Sequence, residues 1–422
     1  MMGTIYKRAV IDEILPYLND IGIIVLHGAR QVGKTSILSY LQEQLRNQGK
    51  IAYFIDLEDS RFVRILDGGI EAFRQLLREE GISVELGGKA FVFIDEIQYL
   101  ANPSSFLKLL ADHHGDIKLI VSGSSSFAIQ SKFQDSLAGR TVDFTIFPLS
   151  FQEFLFFRDV PFPEGQPFTD KKNEELLALF REFVLCGGYP RVALMAETAK
   201  KERYLQQIID TYVKKDIRDL AEVKDVDKFN RLLEVLASQS GQLLNIAELA
   251  NTARIARATV ERYLFILENT YILRLVRPFS RNLRAELFKL PKIFFYDTGL
   301  MQMLWLKGLP REVIGSVLET AVHSELAKRY GPEAVHYWRT QDKKEIDFIL
   351  QVRDDILPIE VKMGFDQFNP SAIRYFNRHY NLDRYRVVAL NGVADHTIRV
   401  YPWELERKML SNLYGSGCPE KR

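Results

Sequence analysis

Two groups of residues in this chain have types and spacings that could do chemistry. The first begins with Gly28-Ala29-Arg30-Gln31-Val32-Gly33-Lys34-Thr35 and runs on into Ser36, fitting the phosphate-binding pattern G-x-x-x-x-G-K-[ST]. Gly28 and Gly33 let the backbone turn its N–H groups toward phosphates, and a helix starting there adds the positive end of its dipole. Lys34 is then placed to reach the β- and γ-phosphates, and Thr35 to hold Mg²⁺. Asp95 and Glu96 end the apolar run FVFIDE. A buried strand has no use for adjacent acids at its tip unless they face a polar site. There Asp95 would accept from the Mg²⁺ shell and Glu96 would polarise the water attacking the γ-phosphate. Ser122 and Ser124, at the end of IKLIV, could sense that phosphate or equally cap the next helix. Arg140, after Gly139, could act as an arginine finger in cis or across a subunit contact, or form a surface ion pair.

The second group is Asp347 in EIDFIL with Glu360 and Lys362 in IEVK. Glu360 and Lys362 are two apart on a strand and so share a face, and Asp347 on the preceding strand can join them. A carboxylate pair of this kind holds Mg²⁺ against a scissile phosphate while the lysine stabilises developing charge or activates water. Glu319, on the helical stretch VLETAVHSELAKRY, could complete the metal shell.

The elements that must position these groups follow from periodicity. Ile21 to Leu26, Ile51 to Leu57, the strand in Ala90 to Leu100 that ends in Asp95 and Glu96, Ile117 to Val121 and Thr141 to Phe147 read as strands. Helical patterns at Ser36 to Leu45 and Ile70 to Glu80 alternate with them, which predicts a parallel sheet with helices on both faces. Ligands of such sheets bind at the carboxyl ends of strands, where the glycine loop and Asp95-Glu96 meet. Before the sheet, Ile11, Ile14, Leu15 and Leu18 form a helical stripe interrupted by Pro16, and Arg8 reads as a surface charge that could instead reach a nucleotide. Beyond Pro148, Ser150 and Glu153 give a helix-start signature, and helical patterns run to about residue 225, broken at Cys186-Gly187-Gly188-Tyr189-Pro190. IAEL, Asn251-Thr252-Ala253 and ATVERYLFIL suggest a helix-turn-helix. Strands at Tyr271 to Val276 and Lys292 to Tyr296 form its wing. Arg254, Arg257, Arg262, Arg274, Arg277, Arg281 and Arg284 make this region locally basic, as phosphate contact requires.

Length and charge set the outer bounds. A chain of 422 residues with 47% apolar composition holds about two to four domains. The net charge of +1 excludes a globally basic nucleic-acid coat. Cys186 and Cys418 are the only cysteines, which excludes a cysteine-based zinc cluster and fits a reducing compartment. No apolar run spans a bilayer and the N-terminus carries acids, so a cytoplasmic protein without membrane contact is expected.

With GARQVGKT, FVFIDEIQ and VSGSSS in hand, residues 20 to 150 resemble AAA-type P-loop ATPases carrying an additional catalytic glutamate. GRTVDFTIFPLSFQEF, CGGYP, YVKKDIRDL, EIDFIL and PIEVKMG extend the likeness over nearly the full length. The group they resemble comprises bacterial and archaeal ATPases with a winged helix and a C-terminal PD-(D/E)XK, or restriction-endonuclease-like, domain. The resemblance implies an ATPase domain at 1–150, a helical lid at 151–225, a winged helix at 226–282 and a small α/β nuclease-like domain at 283–422. It implies ATP and Mg²⁺ as cofactors, Lys34 and Thr35 on phosphates and metal, Asp95 on Mg²⁺, Glu96 as base, and Asp347, Glu360 and Lys362 as the nuclease-like motif. The expected partners are ATP, DNA through residues 226–422, and further copies of the chain in a homo-oligomer. The chain departs from the pattern in lacking a clear second-sensor arginine. A rival reading is an ATP-gated signalling or defence switch that acts through protein partners and cuts nothing. A small-GTPase-like protein is disfavoured because no N/T-K-x-D element follows the last sheet strand.

Overall fold

A computed structural model of the chain describes residues 5–82, 89–123, 137, 139–162, 168–216, 223, 225–280 and 290–405. The chain forms two compact units, one of Met1–Phe147 with Lys215–Glu222 and Asn269–Tyr271, the other of Pro148–Lys214, Val223–Glu268 and Ile272–Arg422.

The first unit is the expected α/β layer structure. Strands β1 (Ile23–Gly28), β2 (Ala52–Asp56), β3 (Ala90–Asp95), β4 (Ile117–Ser122) and β5 (Thr141–Ile146) lie in the order β2-β3-β4-β1-β5, all parallel. They are separated by α1 (Val10–Ile14), α2 (Lys34–Asn47), α3 (Ser60–Asp67), α4 (Ile70–Glu79) and α5 (Pro103–His113), with α1 ahead of the sheet. Ile23, Val25, Val92, Ile94, Leu119 and Val121 join Phe73, Leu77, Phe106 and Leu107 of α4 and α5 in one core. The alternate residues Ile24, Leu26, Phe91, Phe93 and Ile120 are also buried, so both faces of the sheet are covered. Pro16 ends α1 after Ile14 and forces a tighter 3₁₀ turn, as its ring requires.

The second unit opens with α6 (Phe151–Phe157), whose Ser150 and Glu153 form the expected capping box. Helices α7 (Asp170–Cys186), α8 (Pro190–Ala193), α9 (Thr198–Ile208), α10 (Val226–Ser238), α11 (Ile246–Ala253) and α12 (Arg257–Asn269) follow. An antiparallel pair comes next, β6 (Leu273–Val276) with β7 (Lys292–Phe295), and then α13 (Thr298–Leu306) and α14 (Gly315–Tyr330). The unit's main sheet has the order β12-β11-β10-β9-β8. It is built from β8 (Val335–Arg339), β9 (Glu345–Val352), β10 (Asp355–Gly364), β11 (Arg386–Asn391) and β12 (Arg399–Val400). Strands β8 to β10 are antiparallel and β10 to β12 parallel. α14 packs on β8, β9 and β10, and α15 (Ser371–Tyr380) on β9.

The break at Cys186–Pro190 is a docking joint. Gly187 has φ 79° and caps α7, and the Gly188 N–H donates to Asp297 Oδ2 at 2.7 Å. The other Asp297 oxygen accepts from Leu300 N at 2.7 Å, capping α13, and burial raises this carboxyl's pKa. The joint leaves no room at Gly299, where a Cβ would overlap the Cys186 carbonyl, whereas a Cβ on Gly315 meets nothing. Alanine favours a helix over glycine by about 1 kcal/mol, while forcing rigid backbone apart costs about 1–3 kcal/mol or more. Gly299→Ala is therefore expected to lower the thermal unfolding midpoint, with Gly315→Ala neutral or stabilising, in parallel melts.

Candidate nucleotide and acid-lysine sites

The glycine loop follows β1 directly. Gly28 packs so closely on the end of β5 that a Cβ would overlap the Ile146 carbonyl oxygen. Gly33 caps α2 with φ 99°, so the helix starts at Lys34, two residues earlier than periodicity suggested. Between them Ala29 and Val32 are buried, Arg30 is half-buried, and Gln31 is exposed with φ 63°. The first turn of α2 has no side-chain cap, leaving its N–H groups for an anion. Thr35 and Ser36 sit exposed in that turn.

The Lys34 ammonium is buried against its own loop, donating to the Gly28 carbonyl at 3.1 Å and that of Ala29 at 2.8 Å. Burial lowers its pKa to about 8, with Glu96 and Asp95 pulling the other way. The buried Asp95 carboxylate accepts from Thr35 Oγ1 at 2.5 Å and from Ser122 Oγ. The Glu96 N–H also bonds Asp95 Oδ1 at 3.2 Å and Ser122 Oγ at 3.3 Å. Glu96 itself has φ 56°, a strained conformation that turns it out of the strand line, and Gln98 donates to its carboxylate. A hydroxyl and a carboxylate this close, open to solvent on the Thr35 side, are an oxygen donor set of the kind Mg²⁺ takes beside phosphates. Ser124 lies outside the described residues.

Arg140 is not part of this cluster. It precedes Thr141, which pairs with Ile23 at the amino end of β1, a full strand length from the loop. Its guanidinium pairs with Asp112 at 2.5 Å, so it serves no finger role toward its own chain's loop. Arg8 is buried, against the surface placement expected. It donates to the Val32 carbonyl at 2.7 Å and the Phe147 carbonyl at 3.0 Å.

In the second unit, β9 and β10 pair in a register that sets Phe348 opposite Ile359, and the next residues along, Asp347 and Glu360, share Lys362. Asp347 Oδ2 accepts from the Val361 N–H at 2.8 Å and from Lys362 Nζ at 3.0 Å, and the same ammonium donates to Glu360 Oε2 at 2.6 Å. Burial and Asp347 push the Glu360 carboxyl up; burial pulls Lys362 down, but Asp347 and Glu360 outweigh it and hold it raised. Glu319 does not close a shell around this pair. Lys292, a buried residue of β7 that periodicity gave no reason to single out, takes it at 3.0 Å and Glu345 at 2.7 Å. Among the described residues no three Asp, Glu, His or Cys side chains form a metal cage. What remains for a divalent cation is the Asp347–Glu360 pair.

The basic stretch is divided. Arg254, Arg257, Arg262 and Arg277 are exposed. Arg257 pairs with Glu261 at 2.9 Å, while Arg274 points inward to Glu268 and Glu333. Arg281 and Arg284 lie outside the described residues. No helix among the described residues is long and apolar enough to cross a membrane.

Three family profiles match the chain. One described as an AAA domain covers residues 20–155, and two domains of unknown function (DUF8612 and DUF4143) cover 177–312 and 314–405. An uncharacterized protein of Haemophilus influenzae is 28% identical over 85% of this chain and 86% of its own. One of Methanocaldococcus jannaschii is 25% identical over 78% and 72%. A solved structure of the replication initiator DnaA bound to AMPPCP and single-stranded DNA matches with 15% identity over 63% of this chain and 90% of that one. Its TM-score is 0.27. The AAA match and the geometry of the loop agree: residues 20–155 are an AAA-type, ATP-binding ATPase domain.

The helix carrying Glu319 also carries His323, fully buried and stacked on Phe294 with ring centroids 4.5 Å apart. Neither ring nitrogen has a hydrogen-bond partner among the described residues, and burial, with Arg274 and Lys328 nearby, lowers its pKa from 6.5 to about 3. The unfolded chain takes up this proton near pH 6.5 and the folded chain resists it until about 3. Stability from this residue is thus complete above 6.5 and lost as pH falls, by about 1.4 kcal/mol per unit. His323→Phe keeps the stack and removes that loss, so its stability advantage over the parent should widen from pH 6.5 to 4 in denaturant titrations. Parallel curves would rule this out.

Proposed function

We propose that the chain is a Mg²⁺-dependent ATPase that couples ATP binding and hydrolysis to DNA binding or remodelling. The observation that carries the ATPase chemistry is the cluster of Thr35, Asp95, Ser122 and Glu96 beside Lys34. In it the loop N–H groups and Lys34 bind phosphates, Thr35 and Asp95 hold Mg²⁺, and Glu96 activates water. Arg30 and Gln31 flank the phosphates, Ser36 adds a hydroxyl in the first turn of α2, and Ser122 orients Glu96. The metal, when bound, supplies charge neutralisation at the phosphates. The domains proposed are 1–150 for the ATPase, 151–225 for a helical lid, 226–282 for a winged helix and 283–422 for a nuclease-like domain.

Support for DNA contact is the exposure of Arg254, Arg257 and Arg262, and of Asn251 and Thr252, on α11, α12 and the turn between them. Support for a nuclease-like site is the Asp347, Glu360 and Lys362 cluster, in which Lys362 is held to both carboxylates. A second reading, an ATP-gated switch that binds protein and cuts nothing, draws on two observations. Phe265 of α12 is 51% exposed, and ammonium groups already satisfy the C-terminal acids.

Lys34→Ala should abolish phosphate release from the purified chain, and Glu96→Gln should slow it about 10²–10⁴-fold while nucleotide still binds. Unchanged turnover in either variant would sink the assignment. For DNA, the slope of log affinity against log salt should flatten by about one for each of Arg254, Arg257 and Arg262 changed to alanine. Cleavage of duplex, single-stranded or branched DNA with Mg²⁺ or Mn²⁺ should vanish in Lys362→Ala. Salt-independent affinity with no cleavage favours the protein-binding switch.

A further inference from the structure

Arg8 stands outside the phosphate-binding motif, yet its guanidinium is buried directly beneath the loop. Two of its bonds join the Val32 carbonyl, inside the loop, to the Phe147 carbonyl beyond the end of β5. The arginine is held there by the segment that bears it. The Arg8 carbonyl accepts from Ile11 N at 3.1 Å to open α1, Ile11 and Ile14 are buried, and the Tyr17 ring meets Phe144 of β5 edge-on at 5.8 Å.

In a trans peptide unit the carbonyl and the following N–H point in opposite directions, and the described chain has no cis bonds. With the Val32 oxygen drawn onto Arg8, the Gly33 N–H is turned away from Arg8 at the start of α2. The loop's other fixed carbonyls behave alike, since Gly28 and Ala29 face the Lys34 ammonium. Cations thus take up the carbonyl ends of the loop's peptides, which leaves the N–H ends to anions. A guanidinium on the carbonyl also polarises the peptide.

We propose that Arg8 is a positioning residue for the phosphates of bound nucleotide. It fixes the Val32–Gly33 peptide with its N–H toward the phosphates. The proposal rests on the reading of Gly28 to Thr35 as an ATP site.

The test compares the full-length parent with Arg8→Ala, Arg8→Lys and, as a control in the same segment, Lys7→Ala, whose side chain pairs with Asp12 on the surface. Binding of ADP and of adenosine is measured by calorimetry, and KM and kcat by phosphate release. Arg8→Ala should weaken ADP at least about tenfold and raise KM more than it lowers kcat, since ground-state and transition-state phosphates are held alike. Adenosine, with no phosphate, should bind both chains equally. Arg8→Lys, which keeps the charge but spans only one carbonyl, should recover part of the loss, and Lys7→Ala should match the parent. ADP binding within twofold of the parent, or an equal loss for adenosine, overturns the proposal. If Arg8→Ala fails to fold, Arg8→Lys decides by the same ADP-against-adenosine comparison. A parent chain that takes no ADP overturns the underlying ATP reading instead.

Discussion

The nucleotide-binding unit depends on one buried charge. Asp95 ends a strand whose six residues are all buried, and a carboxylate in such a place must find donors or lose its charge. It finds three, a hydroxyl from the first turn of α2, a hydroxyl from the tip of β4, and the N–H of its own neighbour. Only a parallel sheet in which β4 lies between β3 and β1 brings these donors to one place, because it aligns the carboxyl ends of the strands. The satisfied carboxylate in turn holds Thr35, and with it the start of α2, against the sheet. Loop, helix and acid strand are therefore fixed as one polar cluster, and the apolar faces beneath them set its height.

The second unit solves a similar problem differently. Its acids come from three elements, Glu319 from α14, Glu345 and Asp347 from β9 and Glu360 from β10, and two ammonium groups are threaded between them. Breaking a buried ion pair by removing one partner costs far more than the pair contributes. The arrangement is thus self-consistent as it stands, and any cation entering it must displace Lys362 from at least one carboxylate. Lys292 ties Glu319 to β7 and so joins the antiparallel pair that follows α12 to the sheet bearing Asp347. It is a physical link between the basic helices and the acid site within one unit.

What was legible in the sequence was what local spacing determines. The glycine loop, the Asp95-Glu96 strand tip, the shared face of Glu360 and Lys362 and the Ser150 capping box each lie within a few residues, where the periods of helix and strand dictate geometry. The hairpin register that brings Asp347 and Glu360 together was also within reach, because strands joined by a short turn have few alternatives. What escaped was set by long-range packing. Nothing in the pattern around Arg8 distinguishes a buried clamp from a surface charge, since only the docking of α1 on β5 removes it from water. Lys292 sits in a short strand whose side-chain neighbours come from α14 and β9, and Arg140 looked suitable for catalysis until its register placed it at the amino end of the sheet. Arg274 likewise counted toward a basic face until Glu268 and Glu333 closed on it.

The cations of the two sites show a common rule. Arg8, Lys34, Lys292 and Lys362 are each held by oxygen atoms of the chain, but the kinds of oxygen differ, and the difference separates the two sites. Arg8 and Lys34 donate to neutral carbonyls of the loop and of the residue after β5, while Asp95 and Glu96 act on Lys34 through space and offset part of the cost of burying it. Lys292 and Lys362 bond to carboxylates, so most of their charge is spent internally. A polyanion approaching the first site meets N–H groups at the start of α2 that no side chain caps, whereas at the second it meets four carboxylates with only two ammonium groups among them. On electrostatic grounds the glycine loop is the site prepared in advance for phosphate.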